Sequence, residues 1–181
     1  LFAEKLSTAD ADALVKLIYT PLPNRPVWGE KEIAATHSIE VKASDLPAKP
    51  TFKADMLNLF IVVETGDHHV TILDGDKFEP ITRFKSRFAL HGGPKFSPEG
   101  RFVYFASRDG WITKYDIYSL QVVAEIRAGI NTRNLAISHD GKTIAVANYL
   151  PHTLVMLDAE DLAILKIIKV TDRFNKNSSR V

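Results

Sequence analysis

The chain has 181 residues, of which 45% are apolar and 25% charged, and its formal net charge is +1. This composition is typical of a globular protein with a sizeable core, and it predicts no nucleic-acid partner and no membrane-surface partner. Because the sequence holds no cysteine, it excludes a disulfide, a thiolate metal site and a covalently attached c-type haem within these residues. No apolar run approaches the roughly 20 residues that a membrane-spanning helix needs, so no membrane span is predicted.

The two ends of the sequence predict a fragment of a longer protein. The given sequence begins at Leu1 without an initiator Met or a leader pattern, and residues 177–181 carry no closing structural signal. The residues themselves therefore indicate no cellular location.

The first predicted element is a helix that begins after Ser7. A hydroxyl at Ser7 followed by Asp10 three residues later is typical of a capped helix N-terminus. An apolar stripe at helical spacing follows, formed by Leu14, Val15, Leu17 and Ile18. Pro21 and Pro23 predict the end of the helix, because proline lacks an amide donor and disfavours helical backbone before it. A helix this short is marginal alone, so we expect the stripe to pack on something that precedes Leu1.

A proline-rich segment at 20–50 predicts a stiff connector laid over a surface. Its prolines are Pro21, Pro23, Pro26, Pro47 and Pro50. Residues 33–41 alternate between polar and apolar, which indicates one edge strand. The indole of Trp28 is predicted to anchor the connector, because an indole buries a large apolar area.

After Pro50 the sequence reads as short strands separated by turns. The predicted strands are 57–64, 70–73 and 78–84, then 102–106, 111–117 and 122–126, then 143–147, 154–157 and 163–170. Turns rich in Gly and Asp divide them, for example 96–100, 108–110 and 137–141.

A repeat of fixed length underlies these strands. Asp74, Asp116 and Asp158 each end an apolar strand, and the intervals between them are 42 residues and 42 residues. A period of about 40 to 50 residues with about four strands per unit is typical of a β-propeller, in which each repeat is one blade. The sequence therefore predicts an all-β fold with about three blades, fewer than a closed propeller has.

His91 stands out within this β framework. It follows the apolar residues 88–90 and precedes Gly92, Gly93 and Pro94, so its ring is predicted to lie at a strand edge beside closely approaching backbone. Such a place suits a flat ligand. A single histidine is, however, more often a structural residue than a metal ligand, and the residues alone leave both interpretations open.

Four segments resemble a known family, the haem d1-type propeller shared by cytochrome cd1 nitrite reductases and their biosynthetic relatives. They are 90–98, 105–111, 129–136 and 148–154, while 18–23 with 28–29 resemble the end of the c-type cytochrome domain that precedes that propeller. The resemblance implies an eight-bladed β-propeller preceded by the last α-helix of a c-type cytochrome domain. It divides the chain into 1–23, the C-terminal helix of the cytochrome domain, 24–50, a linker, and 51–181, the N-terminal part of a haem d1-binding propeller.

Within the family, 63–76 together with 91–94 resemble the dihydro-haem d1 dehydrogenases. This implies a periplasmic enzyme of denitrification that oxidises a propionate of dihydro-haem d1 to an acrylate and passes electrons to a c-type haem. The implied cofactors are non-covalent haem d1 or dihydro-haem d1 here and haem c in an upstream domain. Implied partners are the tetrapyrrole, a nitrite reductase and an electron-acceptor protein. The alternatives are the d1 domain of a nitrite reductase and a non-catalytic haem d1 carrier, and the fragment itself is expected to be inactive.

The resemblance also implies site residues. His91 falls where the family places the proximal iron ligand, and Arg133 matches an arginine near the carboxylates of the tetrapyrrole. The alternative for Arg133 is a structural ion pair at the surface or between blades. The alternative for Arg108 is a purely structural role in the hairpin turn that it forms with the following Asp and Gly. Tyr149 and His152 flank a turn on the same face and are weaker ligand-contact candidates. The catalytic residues are expected beyond this sequence.

Two positions depart from the reductase pattern. That pattern has arginines where this sequence has Thr65 and Pro94, which favours the dehydrogenase over the reductase. The pair His68 and His69 lies in a turn and is predicted to be exposed to solvent, with at most one ring approaching a pocket. His139, in a blade turn, is also predicted to be exposed.

Overall fold

The computed structural model describes residues 6–21 and 27–179. In chain order the helices are α1 (Thr8–Tyr19) and α2 (Glu30–Ala34), and the strands are β1 (Ser38–Ile39), β2 (Leu59–Glu64), β3 (His69–Asp74), β4 (Glu79–Lys85), β5 (Lys95–Phe96), β6 (Phe102–Ala106), β7 (Trp111–Asp116), β8 (Gln121–Arg127), β9 (Asn131–Ile137), β10 (Thr143–Leu150), β11 (Thr153–Asp158) and β12 (Ile164–Lys169). Neither helix is long and apolar enough to cross a membrane.

The predicted helix is α1, and its start is as expected. The Ser7 hydroxyl accepts a hydrogen bond from the Asp10 amide at 3.1 Å, and the Asp10 carboxylate reaches back to Ser7. The helix ends at Tyr19, before Pro21, while Pro23 and the rest of 22–26 lie outside the described residues. The apolar stripe is exposed, with Leu14, Val15, Leu17 and Ile18 between 44% and 74% accessible.

The connector carries structure of its own. Ile33 belongs to α2 and is fully buried, so the alternation that indicated a strand from residue 33 was wrong at its start. The edge strand is β1, which pairs with β8. Trp28 is an anchor as predicted: its Nε1 donates to the Arg127 carbonyl at 3.3 Å, and the Arg127 guanidinium lies 4.8 Å from its ring centre.

The strands form three antiparallel sheets in chain order. The first has the order β2-β3-β4, the second β1-β8-β7-β6-β5 and the third β12-β11-β10-β9. We refer to them as the first, second and third sheets. Each predicted strand is present within a few residues of its expected bounds. Consecutive strands pair within each sheet, as in the meander of a propeller blade.

The 42-residue aspartate repeat has a physical role in each sheet. Asp74 ends β3 and accepts hydrogen bonds from the amides of Asp76 and Lys77. Asp116 ends β7 and accepts from the amides two and three residues ahead, and Asp158 ends β11 and accepts from Glu160. The carboxylate thus closes the same turn three times, because an Asx turn satisfies amides that leave the ladder.

The second sheet is packed on both faces. From β6, Val103 and Phe105 face a core shared with Val70 and Ile72 of the first sheet, whereas Tyr104 faces a core shared with the third sheet. All three β6 side chains are at most 2% exposed. This double burial explains why β6 reads as a continuous apolar run and was predicted with correct bounds.

Two edge strands were not predicted, β5 and β9. Both lie at the end of their sheets, and β9 also contacts β5 and β6 of the neighbouring sheet. The edges of the second and third sheets therefore meet, and the stretch around His91 lies where they do.

Candidate functional site

His91 lies on an interrupted edge of the second sheet. Its amide donates to the Ala106 carbonyl at 2.8 Å, and Leu90 forms an isolated bridge with Ser107. Pairing then stops at Gly92 and resumes at β5. The sequence prediction of a histidine at a strand edge agrees with this geometry.

The interruption depends on two glycines and a lysine. Gly92 and Gly93 have φ of 84° and 70°, a left-handed backbone that side chains rarely tolerate. A Cβ at residue 92 would also overlap the side-chain amide of Asn134 on β9. Lys95 holds the loop from the other end, because its Nζ donates to the carbonyls of Gly92 at 2.6 Å and Gly93 at 3.1 Å. Sequence reasoning missed Lys95 and Asn134, and no pattern in the sequence singles out either.

Arg133 contacts the imidazole of His91. Its Nη1 lies within hydrogen-bond distance of Nε2, and since a guanidinium can only donate, Nε2 is the acceptor and the ring is neutral with its proton on Nδ1. Partial burial lowers the pKa of His91, and the positive charges of Arg133 and Arg108 lower it further. The ring therefore carries a lone pair suited to a metal.

The backbone of Arg108 connects the two segments that bear His91 and Arg133. Its amide donates to the Ala89 carbonyl at 3.1 Å, and its carbonyl accepts from the Thr132 amide at 3.1 Å. Its side chain is exposed and its charge reaches His91. Three of the four predicted site residues are thus brought together.

Tyr149 is placed one strand further along the third sheet. It precedes Leu150, which pairs with Asn131 at the start of β9. It is half-buried, as is His152, whose carbonyl accepts from the Val170 amide. Within the described part of the chain neither side chain lines the cavity beside His91, so their ligand contacts stay predictions.

A cavity of about 200 Å³ opens beside His91. Two of its wall residues are the positions that depart from the reductase pattern: Thr65, in the turn after β2, and Pro94, in the loop before β5. Its walls are formed by Val63, Thr65, Leu90, His91, Gly92, Gly93, Pro94, Phe105 and Ala106. The lining carries no charged side chain, and Val63, Leu90, Pro94, Phe105 and Ala106 make much of it apolar, which suits one face of a flat macrocycle.

His68 supports the segment that leads to His91. Its Nδ1 accepts from the Ala89 amide at 3.3 Å, and its ring lies 5.1 Å from that of Phe88. His68 and His69 are both half-buried, so the prediction of solvent exposure was wrong for this pair. It was correct for His139, which is exposed. A polar turn in the sequence gives no sign that His68 has a neighbour 20 residues away.

These residues fit an iron tetrapyrrole. A neutral imidazole is a common axial ligand of haem iron, and guanidinium groups bind ring carboxylates. His91 supplies the neutral imidazole, whose Nε2 accepts from Arg133 in this arrangement, and Arg108 and Arg133 supply the guanidinium groups. An apolar wall next to the imidazole completes what a non-covalent flat ligand needs.

Known proteins are similar to this chain in sequence and in fold. The sequence matches the family described as cytochrome D1 heme domain over residues 54–181. The dihydro-heme d1 dehydrogenase of Pseudomonas aeruginosa is 60% identical over 171 residues, covering 94% of this chain and 35% of that protein. A solved structure, dihydro-heme d1 dehydrogenase NirN in complex with DHE, has a TM-score of 0.89 at 59% identity, covering 99% of this chain and 38% of that one.

A more distant structure shows the fold alone. The β-propeller domain of Myceliophteria thermophila Cps50 (Swd1) is 14% identical with a TM-score of 0.54, covering 66% of this chain and 42% of that one. The three sheets are thus part of a β-propeller, and the chain spans little more than a third of its close relatives. Since the family match extends over more than half of the sequence, the chain belongs to the cytochrome D1 heme domain family.

Proposed function

We propose that the intact protein acts in haem d1 biosynthesis by oxidising a propionate side chain of dihydro-haem d1 to an acrylate. The described residues form one wall of its tetrapyrrole site. The observation that carries the proposal is the cavity beside His91, where Thr65 and Pro94 stand at the two positions that hold arginines in the reductase pattern. A wall without those cations holds a carboxylate-rich product less tightly, which suits an enzyme that must release it.

The roles of the chain's own residues follow from the contacts. His91 would hold the iron through Nε2, and Arg108 and Arg133 would bind carboxylates at the ring edge. The His91 loop is kept in place by Lys95 and by its contact with Asn134. When bound, the tetrapyrrole supplies the iron and the propionate that loses two electrons and two protons.

The electron acceptor is proposed outside this sequence. A c-type haem in an upstream domain would take the electrons, and α1 would be the last helix of that domain. The exposed apolar stripe of α1 supports this, because a short helix with such a face needs a packing partner. A periplasmic location, and a nitrite reductase and an electron-acceptor protein as partners, belong to the same proposal.

The test uses the intact protein and two histidine variants. His91→Ala removes the proposed ligand, and His139→Ala is the matched control because that residue is exposed in a turn of the third sheet. Titration with dihydro-haem d1 is followed by visible spectra, and the acrylate product by mass spectrometry. We expect the spectrum and product of the unmodified protein to persist in the control and to be lost in His91→Ala.

Other outcomes separate the alternatives. Equal spectra in all three proteins, without acrylate, would overturn the proposal. Turnover of nitrite with a reduced donor would assign the chain to a reductase, and tight binding without any turnover would make it a carrier.

A further inference from the structure

The contact between Arg133 and His91 occupies the atom that would bind iron. Nε2 of a neutral imidazole has one lone pair, so it can accept a hydrogen bond or ligate a metal but cannot do both. The arrangement described here is therefore incompatible with ligation through Nε2 until Arg133 moves.

Arg133 is free of acidic partners within residues 6–21 and 27–179. Three other arginines pair with carboxylates: Arg83 with Glu64 and Asp67, Arg87 with Glu125, and Arg101 with Asp116. Arg133, exposed on the edge strand β9, has the His91 imidazole as its hydrogen-bond partner instead. A guanidinium pairs more strongly with a carboxylate than with a neutral acceptor, because the bond is charge-assisted and can be bidentate.

We propose that the binding of a ligand carboxylate by Arg133 releases the lone pair of His91. A tetrapyrrole with a free carboxylate at the ring edge then gains His91 as axial ligand without leaving Arg133 unpaired, whereas one without a carboxylate does not. The inference rests on the proposed function. The carboxylate replaces the imidazole as the partner of Arg133, and the imidazole then binds the iron. Arg133 is a specificity-determining residue in this scheme as well as an anchor.

The scheme differs from simple carboxylate binding in one measurable way. If Arg133 only anchored a carboxylate, its removal would weaken binding of the acid and leave a carboxylate-free ligand unaffected. If Arg133 also blocks Nε2, its removal frees His91 and strengthens binding of the carboxylate-free ligand. The sign of the change for that ligand decides between the two.

The experiment compares dihydro-haem d1 with its methyl esters, both in the same dilute detergent. The intact protein, Arg133→Met and the control Arg173→Met are titrated, and affinity and the spectrum of axial imidazole ligation are recorded. Arg173 is a suitable control because it is exposed after β12, at the edge of the third sheet opposite β9. Activity is not the readout.

We expect the ester to bind Arg133→Met about three- to tenfold more tightly than the unmodified protein, the range of one hydrogen bond to a charged, exposed group. The ratio of acid to ester affinity should fall towards one in Arg133→Met and stay unchanged in Arg173→Met. An ester affinity that is unchanged or weaker in Arg133→Met, with His91 still ligating the acid, overturns this inference and leaves the proposed function standing. If the unmodified protein binds the acid without imidazole ligation, the proposed function is overturned instead.

Discussion

Thr65 and Pro94 lie on the walls of one cavity although they lie in loops of different sheets. Thr65 follows β2 in the first sheet, and Pro94 precedes β5 in the second. Both therefore act on whatever binds next to His91. Both side chains are neutral, so neither adds a charge to that wall.

Restoring cations at these positions tests their role. We expect the double variant Thr65→Arg with Pro94→Arg in the intact protein to bind the carboxylate-bearing tetrapyrrole about three- to tenfold more tightly, since each guanidinium adds a charge-assisted pair. Release of the product should slow accordingly. Equilibrium titration and stopped-flow release measure both quantities. Thr171→Arg, at an exposed position after β12, is the control, and equal affinities in all proteins would show that the wall does not face the ligand.

The glycines of the His91 loop allow a matched comparison. Gly92→Ala and Gly93→Ala both place a side chain at positive φ, which costs about 1 kcal/mol. Only at residue 92 does the new Cβ overlap Asn134, whereas at residue 93 the nearest of the other described atoms is the Lys95 Nζ at 3.9 Å. We expect Gly92→Ala to lower the free energy of unfolding by about 1 to 2 kcal/mol more than Gly93→Ala. Chemical unfolding followed by fluorescence checks this, and equal losses would contradict the contact with β9.

Removing the ammonium of Lys95 tests how the loop is held. Lys95→Met keeps an unbranched side chain that is one heavy atom shorter and deletes the donors to Gly92 and Gly93. We expect the free energy of unfolding to change by less than about 1 kcal/mol, since the group is near the surface, while tetrapyrrole affinity falls severalfold. Lys166→Met, exposed on β12, is the control. Unchanged affinity would show that the loop keeps its shape without the lysine.

Acid should destabilise the protein through Asp116. Burial raises the pKa of this carboxyl, but hydrogen bonds from Arg101 and Ser119 together with the charge of Arg101 outweigh it, so that the net pKa is lowered. A carboxyl with a lowered pKa in the folded state contributes stability above its unfolded pKa of about 3.9 and loses it as the pH falls through the folded value.

The variant Asp116→Asn isolates this contribution. Near neutral pH it should be less stable than the unmodified protein by about 2 kcal/mol, because Arg101 is left partly buried without its partner. The difference should shrink as the pH falls below about 4. Unfolding midpoints at both pH values measure it, with Asp45→Asn at an exposed position as the control. A difference that stays constant with pH would contradict the assignment.

The parts of the fold that could be predicted are those in which burial imposes a pattern. β6 was predicted with correct bounds because both of its faces are buried, and the repeat was visible because Asp74, Asp116 and Asp158 close equivalent turns. β9 was missed because it starts with Asn, Thr, Arg and Asn, and it is a strand because β10 pairs with it. Helix α2 was missed because a five-residue helix buries a single side chain, Ile33.

The site could be predicted only as far as residue types and family resemblance allow. His91, Arg108 and Arg133 were named from the sequence, and the structure brings them together through backbone contacts of Arg108. The support from Lys95, Asn134 and His68 could not be predicted, since each acts across a turn or between sheets. Contacts of that kind leave no periodic signal in a single sequence.

The positions of His91 and Arg133 on neighbouring sheets have a mechanical consequence. They are 42 residues apart, the same interval as the repeat, so they occupy equivalent places in adjacent blades. A ligand held by both residues spans the seam between two blades and ties them to each other. Binding of the proposed ligand would then add to the resistance of that seam to opening, so that the ligand-bound form would be harder to pull apart than the ligand-free form.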